Sequence, residues 1–241
     1  RLEQTRPSGH DRARGLLSDR ASGRRIDVAT YAPPTALADV VERLWVGRWD
    51  LRGQPPHETE LLNDPAANIS FELGEGGRLV GVWTRLWRRT LAGAGCVYGV
   101  KLRPGAVCAF FEPPASRYSD RQSGLVADCG TDAEAMHELM SRLEAAADDD
   151  SAFVAITTWL APLRRSDDEV SLAVALVERA IRDAKILTVA QLSEAAGMGV
   201  RALQKLFRSH VGASPKWVIR RHRLQEVALR IERGDEPSLT A

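Results

Sequence analysis

The segment that most constrains the fold of this chain is residues 186–233, where two short amphipathic patterns precede a long basic one. Thr188 is placed to cap a first helix, and Gln191 occupies the matching position of a capping box three residues later. Gly197-Met198-Gly199 then interrupts the apolar pattern, as a sharp reversal of the chain requires. The segment therefore predicts two short helices joined by a tight turn, followed by a long basic helix.

The second helix of this pair is predicted to begin near Val200 and to carry one apolar and one polar face. Its apolar face consists of Leu203, Leu206 and Phe207. Its outward face consists of Arg201, Gln204, Lys205 and Arg208. Arginine and lysine can contact a guanine edge and glutamine an adenine edge from one helix in the major groove. The pattern therefore predicts a DNA-reading helix, with a helical hairpin bearing a solvated charged face as the alternative.

The distribution of charge favours the DNA-reading interpretation. From Lys185 to Arg233, ten Lys and Arg residues stand against three Asp and Glu, a net charge of +7. From Thr131 to Val170 the numbers are three against ten, a net charge of −7. The formal total of +1 thus hides two opposed segments. Only the basic segment holds the helix pair, as expected for a surface that binds phosphate.

The same residues resemble the first helix-turn-helix and linker helix of AraC/XylS-type transcription regulators. The matching motifs are the turn Ala196-Gly197-Met198, the Arg-x-Leu-x-Lys-x-Phe pattern of 201–207, Gly212-x-Ser214-Pro215, and the Arg-x-x-Arg-Leu run of 220–224. Gly199 departs from the pattern, since the family usually places a Ser or Thr cap there. The family carries two such units, whereas this sequence ends at Ala241, where the second would begin, and we expect it to be truncated or incompletely ordered there. The resemblance implies a sequence-specific regulator of transcription whose partner is double-stranded DNA.

The interpretation assigns separate roles to two sets of side chains. Base contacts are expected from Arg201, Gln204 and Lys205. Phosphate contacts, which fix the register of the protein on the duplex, are expected from Arg208, Lys216, Arg220, Arg221 and Arg223.

The region from Arg25 to about Val126 is rich in short β-type segments separated by Gly- and Pro-containing turns, among them Asp64-Pro65. These segments are residues 24–31, 44–51, 58–62, 68–73, 78–83, 85–93 and 96–102. Strands at this density predict a barrel or sandwich, and a helix is predicted from Ala36 to about Arg43. The stretches LLNDPAANISFEL and GVKLRPGA resemble the degenerate cupin-like sensor domain of some AraC-type regulators. That resemblance implies a domain that senses a small-molecule effector or forms a homodimer.

The chain changes character after Thr131. The sequences TDAE (131–134) and SDDE (166–169) are predicted capping boxes that open helices at about 131–147 and 168–184, with another helix at 151–161. The helix at 168–184 is predicted to have an apolar face formed by Leu172, Leu176, Ala180 and Ile181. The predicted fold is α+β with two domains: a tail (1–24), a cupin-like β-barrel or sandwich (25–127), a helical linker (128–170) and an all-α helix-turn-helix domain (171–241).

Aromatic side chains concentrate in the β region and leave two interpretations open. They are Trp45, Trp49, Trp83, Trp87 and Tyr98. They either fill the core or line an effector pocket. Arg85, Arg88 and Arg89, beside two of the tryptophans, either favour an anionic effector or form the outer face of a strand.

The rival interpretation is a cupin-type metalloenzyme with a helical assembly domain. Its nearest candidate ligands are His57, Glu58 and Glu60, but the other histidines lie in the tail or the helical parts. Because a facial metal triad needs imidazoles that converge in the barrel mouth and this region can supply one, we expect no metal, no cofactor and no enzymatic activity. A plain oligomerisation module is a third alternative.

The composition is that of a globular protein, with 44% hydrophobic and 27% charged residues among 241. No apolar run approaches the roughly 20 residues of a membrane span, and the N-terminal residues lack an apolar signal region. These features predict a cytoplasmic protein without a membrane partner. Cys96, Cys108 and Cys129 are expected to be reduced thiols, with a redox-sensing pair as the alternative.

Overall fold

A computed structural model of the chain describes residues 3–5, 26–61 and 64–233. The strands are β1 (Gln4–Thr5), β2 (Ile26–Tyr31), β3 (Val41–Leu51), β4 (His57–Leu61), β5 (Asn68–Glu72), β6 (Gly76–Val80), β7 (Trp87–Leu91), β8 (Gly93–Leu102) and β9 (Gln122–Gly124). The α-helices are α1 (Ala133–Glu144), α2 (Asp149–Leu160), α3 (Asp168–Arg182), α4 (Val189–Ala195), α5 (Val200–Leu206) and α6 (Pro215–Arg233). An antiparallel sheet region therefore precedes a helical region, and the predicted α+β class is confirmed.

Seven of the strands form one antiparallel sheet, in the order β1-β2-β3-β8-β5-β6-β9. Strands β4 and β7 pair separately as a two-stranded ribbon. Each of the seven predicted β segments overlaps one of these strands, although β3, β4, β6 and β8 begin before the predicted segment. Gln4 and Thr5, which the sequence assigns to a tail, pair with Tyr31 and Thr30 of β2. Residues 1–2 and 6–24 of the predicted tail and the predicted entry to a second unit lie outside the described residues.

One face of the large sheet is covered by α1 and α2. Phe153 of α2 is fully buried, and its ring centroid lies 5.1 Å from that of Tyr31 and 5.5 Å from that of Tyr98. Met136 and Leu139 of α1 join the same apolar cluster. The segment predicted to be a linker thus shares its core with the sheet, because burying its apolar faces there stabilises both.

The other face of the sheet carries two tryptophan rings that lie on glycine backbone. A Cβ atom at Gly99 would lie 2.0 Å from Cε2 of Trp45, and one at Gly95 would lie 2.2 Å from Cζ2 of Trp49. Since non-bonded carbon atoms stay about 3.5 Å apart or more, only glycine allows these rings to lie flat on β8. The Trp45 indole is further held by a hydrogen bond of 3.1 Å that Nε1 donates to Oδ1 of Asn68.

A second apolar cluster unites α3, α4, α5 and α6. Its fully buried members include Val177 of α3, Leu192 of α4, Leu203 of α5 and Val218 of α6. None of the helices that the structure describes is both long and apolar enough to cross a membrane.

Three local predictions are wrong. The predicted helix at 36–43 is a single 3₁₀ turn at Thr35–Leu37, because β3 begins at Val41 and pairs with β8. Thr131 and Ser166 are not the N-caps of their helices. The N-cap is the next residue in each case, Asp132 or Asp167, whose carboxylate accepts a hydrogen bond from a backbone N–H of the first turn. Leu172 is 42% exposed, and Ala173 takes its place in the core.

The packing of Trp45 on Gly99 gives a testable prediction. Gly99→Ala is expected to lower the free energy of unfolding by about 1–3 kcal/mol, because the added methyl overlaps the indole ring. Gly47→Ala is the matched control, since its Cβ would meet the nearest atom, Cγ1 of Val97, at an ordinary 3.4 Å. Urea unfolding measures both variants, and equal stabilities would contradict the account of this face.

Candidate nucleic-acid interface

The first helix of the pair, α4, begins with the predicted capping box. Oγ1 of Thr188 accepts a hydrogen bond from the Gln191 backbone N–H at 3.2 Å, and Oε1 of Gln191 accepts one from the Thr188 N–H at 2.9 Å. The helix ends at Ala195, whose carbonyl accepts a hydrogen bond from Arg179 of α3. Gly197 follows with φ of +62°, a conformation that glycine adopts without steric cost. The local sequence therefore suffices to start α4 and to reverse the chain after it.

The second helix, α5, has the two faces that the sequence predicts. It starts after Gly199, whose extended backbone occupies the N-cap position without a side-chain hydrogen bond. Leu203 and Leu206 are buried, and a π-helical turn at Phe207–Val211 continues the helix to Gly212. The exposed polar side chains are those of Arg201, Gln204, Lys205 and Arg208.

These four exposed residues lie on one side of the helix because they are spaced by three, four and seven positions. The buried side of α5 packs against α3, α4 and α6 through Phe207 and Leu203, both fully buried. The helix thus presents three cations and one amide to solvent, and its orientation is fixed by the apolar cluster behind it.

The basic helix α6 divides its predicted phosphate contacts into two groups. Lys216 and Arg220 are exposed and one turn apart. Arg221 is partly buried, and burial lowers the pKa of its guanidinium, an effect that the nearby Asp64 carboxylate opposes. Lys216 and Arg220 are therefore available to a ligand, whereas Arg221 is only partly so.

Arg223 does not face solvent with the others. Its guanidinium donates hydrogen bonds of 3.2 and 2.7 Å to the carbonyls of Ala180 and Asp183, and it forms an ion pair with Glu226. These carbonyls belong to the last turn of α3, where helix geometry leaves them without partners of their own. The predicted phosphate role of Arg223 is therefore replaced by one that attaches α6 to α3.

The β region also contacts α6 directly, through Asp64 in the loop after β4. Oδ2 of Asp64 accepts a hydrogen bond from Nζ of Lys101 at 2.6 Å, and Oδ1 accepts one from Nε2 of Gln225 at 2.9 Å. Lys101 is only 8% exposed and Gln225 only 5%. Sequence reasoning missed this contact, because Asp64-Pro65 has the pattern of an ordinary turn and the partner lies 161 residues away.

Two further contacts connect the β region to the end of the helix pair. Sγ of Cys108 donates to the carbonyl of Ser209, and Oγ of Ser119 donates to the carbonyl of Gly212. Cys108 is buried, and burial raises the pKa of its thiol to about 11. It is a free thiol, like Cys96 and Cys129.

The predicted aromatic pocket is not assembled from all five residues. Trp45 and Trp49 lie on the face of β3 that carries Gly47, whereas Tyr98 faces Phe153 of α2 on the opposite side of the sheet. Trp49 donates from Nε1 to the carbonyl of Ala92 at 3.2 Å. Of the other two tryptophans, Trp87 begins strand β7 of the ribbon and Trp83 precedes that strand, and both are half-buried. Tyr98 is therefore separated from the tryptophans, because alternate residues of a strand point to opposite faces.

Two of the arginines beside the tryptophans form ion pairs. Arg89 pairs with Glu72, and its guanidinium carbon lies 5.6 Å from the Trp49 ring centroid. Arg88 pairs with Glu60 on the exposed face of the ribbon. The third, Arg85, is exposed.

The candidate metal ligands do not converge. His57 is 8% exposed, whereas its neighbour Glu58 and Glu60 both lie within 3.5 Å of Nε of Arg88. Alternation along β4 places His57 on one side and the two glutamates on the other. No group of three His, Cys, Asp or Glu side chains within the described ranges could hold a metal ion. The ligand set of the enzyme interpretation is therefore not brought together.

Comparisons with known proteins add two likenesses. Residues 29–123, less than half of the chain, match a family model described as a domain of unknown function, DUF6597. No curated protein matches the sequence significantly. Among solved structures, the crystal structure of the AraC-like transcriptional activator CuxR is similar at 13% identity, over 95% of this chain and 96% of that chain, with a TM-score of 0.31. Because that score is low, function has to be argued from the contacts of this chain itself.

The role of Arg223 can be tested by stability. Arg223→Gln is expected to lower the free energy of unfolding by about 1–3 kcal/mol, because the carbonyls of Ala180 and Asp183 lose their donor in a partly buried position. Arg220→Gln, on the exposed face of the same helix, is the control and is expected to change it by less than about 0.5 kcal/mol. A thermal or urea unfolding series distinguishes them, and similar losses in both variants would contradict the assignment.

Proposed function

We propose that this protein is a sequence-specific, DNA-binding regulator of transcription of the AraC/XylS type. The observation that carries the proposal is the arrangement of α4, the glycine turn and α5, which exposes Arg201, Gln204 and Lys205 on one face of a helix whose other face is buried. That arrangement supports a helix-turn-helix, a motif in which the second helix enters the major groove.

The exposed face of α5 suits the major groove in size and chemistry. An α-helix with its side chains is about 10–12 Å across, and the groove is roughly 12 Å wide. Arg201 lies in the first turn of the helix, where side chains of a recognition helix approach base edges most closely. In this proposal Arg201 and Lys205 contact guanine and Gln204 contacts adenine or an adjacent base.

The phosphate-binding residues in this proposal are a subset of those predicted from the sequence. Arg208 in the turn after α5 and Lys216 and Arg220 on α6 are exposed and supply these cations. Arg221 contributes less, because it is partly buried near Asp64. Arg223 is omitted, because its donors are already used within the protein.

The β region, with α1 and α2, acts in this proposal as a cupin-like sensor unit that binds a small-molecule effector or pairs with a second copy. Its hydrogen bonds to Gln225, Ser209 and Gly212 support that role, because they join it to the helices that would read DNA.

Helix α6 also exposes an apolar stripe of Leu224, Val227 and Ile231. We propose that a second helix-turn-helix unit, as found in the family that the chain resembles, packs against this stripe.

Base reading by α5 is testable with the purified protein and its selected duplex site. Arg201→Ala is expected to weaken binding to that site by about 1–3 kcal/mol and to relax discrimination at one base pair, because a bidentate contact to guanine is lost. Arg182→Ala, a substitution of an exposed arginine on α3, is the matched control. Competition binding against single-base variants at constant salt measures the effect, and unchanged site preference in both Arg201→Ala and Gln204→Ala would exclude α5 as the reader.

Removing a phosphate contact is expected to change DNA binding differently from removing a base contact. Arg220→Ala is expected to weaken binding to all duplexes alike and to reduce the log–log salt slope by about one unit, because one fewer counterion is released. Arg182→Ala is again expected to leave the slope unchanged. Fluorescence anisotropy over a salt series provides the slopes, and sequence-dependent loss in Arg220→Ala would contradict its assignment to the backbone.

A further inference from the structure

The structure contains a polar cleft whose lining includes none of the tryptophans of the β region and none of the exposed residues of α5. It is open to solvent, has a volume of about 350 Å³ and lies at the β9 edge of the large sheet. Its lining consists of Arg117, Tyr118, Arg121, Gln122, Ser123 and Asp128. This volume is at the lower end of the range found for small-molecule sites.

The chemistry of the lining is dominated by hydrogen-bond donors. Arg117 and Arg121 are exposed, and neither forms an ion pair with another residue within the described ranges. The Arg117 guanidinium lies 5.9 Å from the ring centroid of Tyr118, which supports one wall. Ser123, only 4% exposed, adds a hydroxyl. Two arginine side chains in the lining of one cleft are suited to bidentate contacts with phosphate or carboxylate.

The lining also includes a single carboxylate, that of Asp128. Its Oδ2 accepts a hydrogen bond from the Gly124 backbone N–H at 2.7 Å, which fixes the side chain in the turn after β9. A lining that combines two cations with one acceptor favours a ligand that has both an anionic group and a hydroxyl donor.

The segment that carries both arginines is held from several sides. The Asp120 carboxylate accepts hydrogen bonds from the N–H and Oγ1 of Thr84 at 2.6 and 2.7 Å, and Asp120 has a φ of +56°. The Gly81 N–H donates to the carbonyl of Arg121, and a Cβ at Gly81 would lie 1.9 Å from the Tyr118 carbonyl oxygen. The backbone is therefore positioned before any ligand arrives, which reduces the entropy cost of binding.

From this geometry we propose that the cleft binds a small organic oxyanion, a phosphate or carboxylate that also bears a hydroxyl group. Its arginine-bearing segment includes Ser119, which donates a hydrogen bond to the carbonyl of Gly212 at the end of the α5 turn. Through this hydrogen bond, a ligand in the cleft can influence the position of the helix pair. That influence on the helix pair rests on the proposed function, whereas binding of the ligand does not.

Isothermal titration of the purified protein at low salt tests the proposal without DNA. The probes are glycerol 3-phosphate and L-malate, with glycerol as the uncharged control. Saturable binding of at least one anionic probe is expected at a Kd of about 1 mM or tighter, with no heat from glycerol. Arg117→Gln and Arg121→Gln are each expected to weaken it by about 10-fold or more, the usual effect of removing a hydrogen bond to a charged group.

Arg182→Gln, which removes an exposed charge on α3 instead, is expected to bind as the unaltered protein does. Because Arg117 and Arg121 are exposed, their variants are expected to retain the melting temperature of the parent protein, so that loss of binding is not loss of folding. Absence of saturable binding by either probe, or equal binding by all variants, would overturn the proposal. So would a uniform, salt-dependent loss of DNA binding in Arg117→Gln and Arg121→Gln without any binding of the probes, since the arginines would then contact the duplex backbone.

Discussion

The packing of Phe207 is the contact on which the rest of the helical region depends. Helices α4 and α5 have seven residues each, far fewer than the roughly 12–15 that an isolated helix needs to persist in water. Their shape therefore comes from tertiary burial rather than from intrinsic helicity. Phe207 is fully buried in the cluster that includes Leu192, Leu203 and Val218, one from each neighbouring segment. The direction of the exposed face of α5 is a consequence of that cluster.

The β region is attached to this helical unit close to the same point. The hydrogen bonds from Cys108 and Ser119 reach carbonyls in or just after the turn that contains Phe207, and Asp64 reaches Gln225 on α6. These are directional, partly buried contacts, and losing one leaves a polar group without its partner. A change at the surface of the sheet that moved these donors would therefore alter the position of α5 and α6. In the proposed function, this coupling is the physical basis on which the β region would act on α5 and α6.

Local features of the fold could be predicted from the sequence, whereas features that depend on distant partners could not. The capping box of Thr188 and Gln191 was predictable, because both groups lie within one turn. The segment 36–43 was interpreted as a helix, because its pattern of apolar residues fits a helix or a strand and only pairing with β8 decides between them. Arg223 resembled a phosphate contact, because the α3 carbonyls that it binds lie about forty residues earlier in the sequence. The faces of Trp45 and Tyr98 depend on strand register, which composition does not reveal.

In the proposed function, the exposed face of α5 reads the edges of bases in the major groove. Selection of binding sites from a pool of random duplexes, followed by methylation interference at guanine N7, tests it most directly. The account predicts a shared motif among the selected duplexes and loss of binding when a guanine within that motif is methylated, because N7 is the acceptor that an arginine contacts. Selection without a shared motif, or binding indifferent to methylation at every guanine of the motif, would contradict it.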